Sequence, residues 1–244
     1  MFTWFFKKDL ALKALRFSEI GIDLHSHLIP GIDDGAKDLE TSIFLVKRLK
    51  DLGFTKIITT PHIMSDLYKN TPDIINAGLS VLKSELINQK IDIDIQAAAE
   101  YYVDYDFEQR IGDENFMTFG QKEILIEFSF LEAPRNMYDI IFKLQLEGYR
   151  VVLAHPARYR YFLIDDYNAL IERGVLFQLN LLSLIGYYSK EVKLNAELLI
   201  NHNLISYVGT DCHNKNHVQL YHKCETMKYW HQLVNSGRLL NNKL

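Results

Sequence analysis

His25 and His27 stand two residues apart just after a short apolar run, Gly21 to Leu24, and open the stretch HSHLIPGIDDGAKD. Strand side chains alternate between faces, so residues at i and i+2 project the same way. Two such imidazoles, with Asp33 and Asp34 a few residues on, have the types and spacing of first-row transition-metal ligands. Other apolar runs end in the same manner: Pro61-His62, Ala99-Glu100-Tyr101, Ile126-Glu127-Phe128, Ala154-His155-Pro156 and Thr210-Asp211-Cys212-His213. One histidine or glutamate in such a place is ordinarily a hydrogen-bonded or capping residue. Nearly every run ending in one is different, because close buried carboxylates cannot all ionise without cations. Divalent ions resolve that conflict. Mixed imidazole and carboxylate donors suit manganese, iron or zinc. Eight or nine such residues exceed one ion's needs, so two or three ions sharing bridging carboxylates are expected. That chemistry activates water at neutral pH and neutralises phosphoryl oxygens. Arg158, three residues after His155, is placed to hold a phosphate bidentately, with Arg160 a second candidate. Read alone, Arg158 is equally a surface ion-pair residue.

Something must bring these chain-distant residues together. Candidate strands lie at 20–24, 56–60, 93–98, 123–127, 150–154, 175–179 and 206–208. Amphipathic helical stretches lie between them at 39–52, 71–89, 134–147, 165–173, 190–201 and 213–236. The stretch at 39–52 presents Ile43, Val46, Leu49 and Leu52 on one face and stops at Gly53. Thr71-Pro72 reads as an N-cap followed by proline at the first helical position, and Gly148 and Gly174 close two further helices. Seven strand-then-helix units give a parallel α/β architecture. No glycine-rich nucleotide loop follows the first strand, so a closed or distorted (β/α)7 barrel with outer helices fits better than an open sheet. In such barrels the C-terminal strand ends gather at one mouth.

Composition removes several classes. The net charge of −4 implies no basic surface for nucleic acid. Two cysteines are too few for a disulfide framework and suit a reducing, cytoplasmic setting. A cysteine-phosphatase loop is also disfavoured, because Val218 and Trp230, not arginine, stand six residues after Cys212 and Cys224. Cys212 is read as structural, facing away from the proposed ligands. No apolar window is long enough to span a membrane. Residues 1–20 are read as an aromatic, amphipathic extension and 21–244 as one catalytic domain. The extension either packs on the domain or a partner subunit, or touches a membrane surface through Phe2 to Phe6.

The HxH of the first strand, the histidines after the second and fifth, and the final DxH resemble the PHP (polymerase and histidinol phosphatase) superfamily. DLHSHLIPGIDDGAKD, TTPHI, AAAEYY, LIEFS, LAHPARY and TDCHN resemble more closely its bacterial manganese-dependent tyrosine-phosphatase branch, associated with capsular and exopolysaccharide synthesis. The similarity runs from about Gly21 to the final helix. It implies a TIM-barrel-like PHP fold with ligands His25, His27, Asp34, His62, Glu100, Glu127, His155, Asp211 and His213. It implies manganese as the preferred metal, Arg158 as the phosphate-binding residue, and Asp34 and His62 as further catalytic candidates. By resemblance the substrate is phosphotyrosine in a protein, on the tail of a membrane tyrosine kinase driving polysaccharide export. The branch often has a second arginine after DxHN; here Asn214 to Val218 contains none, and Lys215 or His217 stands in that stretch.

Three other readings stay open at this stage. The scaffold could serve histidinol phosphate or another small phosphomonoester. It could be a non-catalytic kinase-binding protein, or a membrane-associated adaptor. Tyr101-Tyr102 and Tyr187-Tyr188 could form recognition surface, although aromatic content alone does not require it. Oligomeric state is not legible.

Overall fold

Helix signals in the chain act where they stand. In the computed structural model, which describes residues 12–244, Asp38 caps α1 (Leu39–Asp51) by accepting from Thr41 N at 2.8 Å. Its buried face is Ile43, Leu45, Val46 and Leu49, while Leu52 is only half-buried. Thr71 caps α2 (Pro72–Asn88), and Ser189 caps α6 (Lys190–Asn201). Also present are α3 (Tyr105–Arg110), α4 (Met137–Leu146), α5 (Ile164–Glu172), α7 (Lys215–Val218) and α8 (Lys228–Asn235). The single helix expected over 213–236 is instead α7, a 3-10 segment over Tyr221–Thr226, and α8. Tertiary contacts break it: Tyr221 Oη donates to Thr210 O at 3.0 Å, and Cys224 Sγ lies 3.3 Å from Leu181 O. The six-residue α3 carried too short a pattern to be read from the sequence.

The strands are β1 (Ile22–Leu24), β2 (Lys56–Thr59), β3 (His62–Ile63), β4 (Asp94–Ala97), β5 (Glu100–Tyr102), β6 (Glu123–Glu127), β7 (Arg150–Ala154), β8 (Leu176–Asn180) and β9 (Tyr207–Gly209). Every ladder between them is parallel, in the orders β1-β2-β4 and β3-β5-β6-β7-β8-β9. The expected second and third strands end within a residue of their expected ends, and after a short break each is followed by a further short strand, β3 after β2 and β5 after β4. At the first break Pro61 has no N–H to give a ladder. The two ladders stay joined by Ala98 N donating to Thr59 O at 2.9 Å and Glu100 N to Pro61 O at 3.1 Å. The circuit closes where Ser26 bridges Cys212, with Asp211 N donating to His25 O at 2.7 Å and His27 N to Cys212 O at 2.9 Å. The result is the distorted seven-stave barrel expected from the pattern.

Leu24, Ile58, Leu125, Val152, Ala154 and Tyr207 form one apolar cluster, with Leu240 and Leu244 packed against it. At the strand-start end, buried Asn241 donates to Ile22 O and Val208 O and accepts from Val208 N. A larger cluster joins the strands to the helices. It includes Phe17, within the stretch read as an extension, which is stacked on Phe54 at 5.3 Å and set edge-on to Trp230 at 5.1 Å. The aromatic run at 2–6 lies outside the described residues. Among the described residues no helix is long and apolar enough to cross a membrane.

Candidate metal centre

The strand ends deliver their ligand-type residues to one mouth, but by sharper turns than a regular strand provides. Leu24 is the last residue of β1, and His25 takes φ +94°. The two histidines therefore meet, Nε2 to Nε2 at 3.3 Å, through a left-handed turn rather than through strand periodicity. His155 after β7 and Asp211 after β9 also have positive φ, at +33° and +52°. Non-glycine residues in this region cost about 1–3 kcal/mol each and cluster at functional sites. Two glycines make the approach possible. A Cβ on Gly209 would lie 1.7 Å from Leu24 O, and one on Gly35 would lie 2.2 Å from His27 O.

Glu100 is the hub. Its Oε2 lies 3.1 Å from His25 Nε2, 3.2 Å from His62 Nδ1 and 3.4 Å from His27 Nε2; its Oε1 lies 2.9 Å from His155 Nε2. Glu127 approaches His155 at 3.4 Å and His62 at 3.7 Å. Asp211 Oδ1 is 3.5 Å from both His25 and His27 and 3.3 Å from His213 Nδ1. Half-exposed Asp34 faces His62 and His213 at 3.6 and 3.5 Å. Three overlapping groups could each hold an ion: His27, Asp34, His62 and His213; His25, His27 and Glu100; His62, Glu100 and Glu127. His155 and Asp211 adjoin these groups without completing one of them.

Outer partners aim the rings. Gln178 Oε1 lies 2.8 Å from His25 Nδ1, and Asp33 Oδ2 lies 2.8 Å from His27 Nδ1, which turns both Nε2 atoms inward. Asp33 also accepts from Gly35 N and His62 N, so it orients ligands, whereas Asp34 faces the mouth. Asn180 Nδ2 and Tyr188 Oη both donate to Asp211 Oδ2. Gln178, Asn180 and Tyr188 went unread in the sequence as supports of the site. The alternation of Gln178 and Asn180 in an otherwise apolar strand was the available signal.

The charges conflict as close carboxylates must. Burial opposes ionisation of Glu100, yet His25 and His62 hold it well below the usual range. Burial and the neighbouring Glu100 push Glu127 well above it. Burial lowers His62, and it lowers His155 to about 4, leaving both imidazoles neutral. Burial also opposes charge on His27, but Asp33 and Glu100 keep its proton well above the ordinary imidazole range. His62 Nδ1 is buried with no hydrogen-bond partner, although it lies 3.2 Å from Glu100 Oε2. Opposed carboxylates, neutral imidazoles and an orphaned ring nitrogen fit divalent metal ions.

Arg158 borders the same cavity of about 710 Å³. Its Nη1 lies 3.8 Å from Asp211 Oδ2, too long for a hydrogen bond. Arg160 is exposed and does not line this cavity. Lys215 rests over the Phe44 ring at 5.1 Å, away from the mouth, whereas His217 lines the mouth and contacts Asp211 O at 3.1 Å. Cys212 is buried in the apolar core, and burial pushes its thiol pKa far up.

A parallel β/α barrel with a histidine- and carboxylate-lined mouth defines a class of metal-binding barrel proteins. Within it, the chain belongs to the capsular polysaccharide synthesis family CpsB/CapC, whose model matches residues 21–231. It is 34% identical over 197 residues to the tyrosine-protein phosphatase YwqE of Bacillus subtilis, covering 79% of this chain and 77% of that protein. It is 26% identical to the putative tyrosine-protein phosphatase CapC of Staphylococcus aureus, covering 91% and 90%. A crystal structure from work on YwqE of B. subtilis and CpsB of Streptococcus pneumoniae, described as unique metal-dependent tyrosine phosphatases, superposes with a TM-score of 0.79 at 30% identity. That match covers 91% of this chain and 95% of the other. A histidinol phosphate phosphatase from Lactococcus lactis matches at TM-score 0.53 and 15% identity, a likeness of fold alone, covering 86% and 97%.

Proposed function

We propose that this protein is a metal-dependent protein-tyrosine phosphatase acting in capsule or exopolysaccharide synthesis, with residues 21–244 as its single catalytic domain. The observation that carries the reading is the buried set of imidazoles and carboxylates around Glu100, with an arginine beside it whose side chain makes no hydrogen bond among the described residues. The assigned ligands are His25, His27, Asp34, His62, Glu100, Glu127, His155, Asp211 and His213, for two or three ions, with manganese preferred over iron or zinc by resemblance to the tyrosine-phosphatase branch. When bound, such ions supply an activated water and neutralise phosphoryl charge.

The chain's own residues do the rest. Arg158 presents N–H donors to the non-bridging phosphoryl oxygens. Gln178 and Asp33 fix the imidazole orientations, so little reorganisation is needed during the reaction. Asp34 and His62 lie on the mouth side, and because His62 is held neutral and is an assigned ligand, the departing phenolate oxygen takes its proton from water. Phenolate leaves readily, so that proton contributes little to the rate. The physiological substrate proposed is a phosphotyrosine tail on a membrane tyrosine kinase, met in the cytoplasm.

The test is phosphate release by metal-stripped protein titrated with manganese, on a phosphotyrosine peptide and on histidinol phosphate in parallel. Manganese-dependent release from the peptide is expected. Release from histidinol phosphate alone would overturn the substrate assignment. Metal binding without hydrolysis of either would make the protein a binding module.

A further inference from the structure

We infer that Tyr188 and Phe130 are positioning residues that hold the Arg158 guanidinium edge-on to the bound phosphoryl group, and that Tyr188 ties that arginine to Asp211. This rests on the reading of the mouth as a phosphoryl site. The Arg158 guanidinium carbon lies 4.0 Å from the Phe130 ring centroid and 4.7 Å from that of Tyr188. The two rings come from different parts of the barrel: Phe130 from the loop after β6, and Tyr188 from the segment before α6. Phe130 is backed by Tyr159, at 5.9 Å between ring centroids, and Tyr188 by Tyr187, at 5.3 Å.

Stacking occupies the flat faces of a guanidinium, whereas its N–H donors lie in the plane at the edge. Rings over the guanidinium carbon therefore orient the group without consuming a donor. Among the described residues the Arg158 side chain donates no hydrogen bond, and its nearest carboxylate contact is the 3.8 Å approach to Asp211 Oδ2. It is also the sole arginine or lysine among the described residues lining this cavity. A long, unanchored side chain would lose rotamer freedom on gripping an anion. The rings impose that loss beforehand and leave the donors for the phosphoryl oxygens.

Tyr188 acts at both ends. Its buried hydroxyl donates to Asp211 Oδ2 at 3.1 Å and accepts from Asn180 Nδ2 at 3.1 Å, while its ring lies against Arg158. Without that hydroxyl bond, Asn180 Nδ2 alone would hold Asp211 Oδ2, leaving the oxygen more freedom to pair directly with Arg158. The tyrosine thus keeps a proposed ligand carboxylate and the anion-binding cation close without letting them neutralise each other.

Three variants separate these roles: Phe130→Leu, Tyr188→Leu and Tyr188→Phe. For each, the affinity for inorganic phosphate in the manganese-loaded protein and the affinity for manganese would be measured by calorimetry, alongside kcat and KM on a phosphotyrosine peptide. Phe130→Leu should weaken phosphate binding and raise KM by about threefold to thirtyfold, the range of a partly desolvated cation–π contact. Its manganese affinity should be unchanged. Tyr188→Phe keeps the ring, so it should weaken manganese binding while shifting phosphate affinity less than Tyr188→Leu does. Phe130 is more exposed than the half-buried Tyr188, so Phe130→Leu reports even if the Tyr188 variants fold poorly. Unchanged phosphate affinity in Phe130→Leu, or equal effects of Tyr188→Phe and Tyr188→Leu on it, would overturn the inference. Phosphate binding is read without turnover. Hydrolysis-inactive wild type with weakened phosphate binding in Phe130→Leu would therefore refute the phosphatase reading and leave this one standing.

Discussion

The carboxylate of Glu127 shows most directly what the mouth requires. Burial and Glu100 together push its proton affinity well above that of an ordinary glutamate, so the protein stores a charge conflict there. Replacing it with alanine removes a donor from the group shared with His62 and Glu100. Glu127→Ala should weaken manganese binding by more than the ~10–100-fold typical of losing an outer partner, and turnover should vanish with it. Calorimetric titration checks this, and full activity in that variant would sink the ligand assignment. A pH dependence follows from His25 and His27. Burial opposes their charge, but neighbouring carboxylates raise both above the ordinary imidazole range. A ligating nitrogen must give up its proton, so metal entry releases protons and affinity falls as pH falls, by about tenfold per pH unit for each proton displaced. Calorimetry in two buffers of different ionisation enthalpy would count them; zero release near pH 6 would contradict the assignment. At this scale the sequence was largely legible. All nine assigned residues reach one mouth, because all but Asp34, which lies in the loop after β1, stand at or just beyond a strand end on that side. The supports were not legible: Gln178 and Asp33 matter through rings far away in sequence or aimed by local turns.

Elements in this chain are set by local signals wherever those signals are strong. The cap at Thr71 and the strands β6, buried throughout, and β7, buried but for Arg150, were readable from residue types alone. The stretch at 213–236 was not, since burial of Tyr221 and Cys224 outweighs its helical period. The seam between β9 and β1 depends on one small residue. Gly209→Ala would drive a Cβ to 1.7 Å from Leu24 O and 2.9 Å from His25 Cβ, against backbone that cannot step aside. That substitution should cost more than about 4 kcal/mol, in the exceptional range for a single change, and should disturb His25 and Asp211 together. Chemical denaturation with a parallel manganese titration tests both effects. A stable variant with normal metal affinity would show that the seam is looser than this packing implies.

The whole molecule is a barrel held at two ends: by the mouth, where buried charges meet, and at the base, where the chain's last turn packs on the inner apolar cluster. Asn241 is buried and satisfies the backbone of both β1 and β9 there, and Lys56 Nζ donates to Leu244 O at 2.9 Å. Asn241→Ala leaves buried backbone groups unpaired, so it should lower stability by about 2–3 kcal/mol with little change in KM. Urea unfolding and steady-state kinetics would show whether stability and substrate affinity separate in this way. By itself the sequence determined the parallel α/β class, the spacing of the staves and the identity of the ligand-type residues. Those follow from periodicity and from where polar residues interrupt apolar runs, both local properties of the chain. Only the tertiary structure decided that the short strands β3 and β5 follow β2 and β4, that His25, His155 and Asp211 turn through left-handed backbone, and that Tyr188 links Asp211 to Arg158. Each of these results from contacts across the closed barrel between residues far apart in sequence, where packing and hydrogen bonding outweigh local preference.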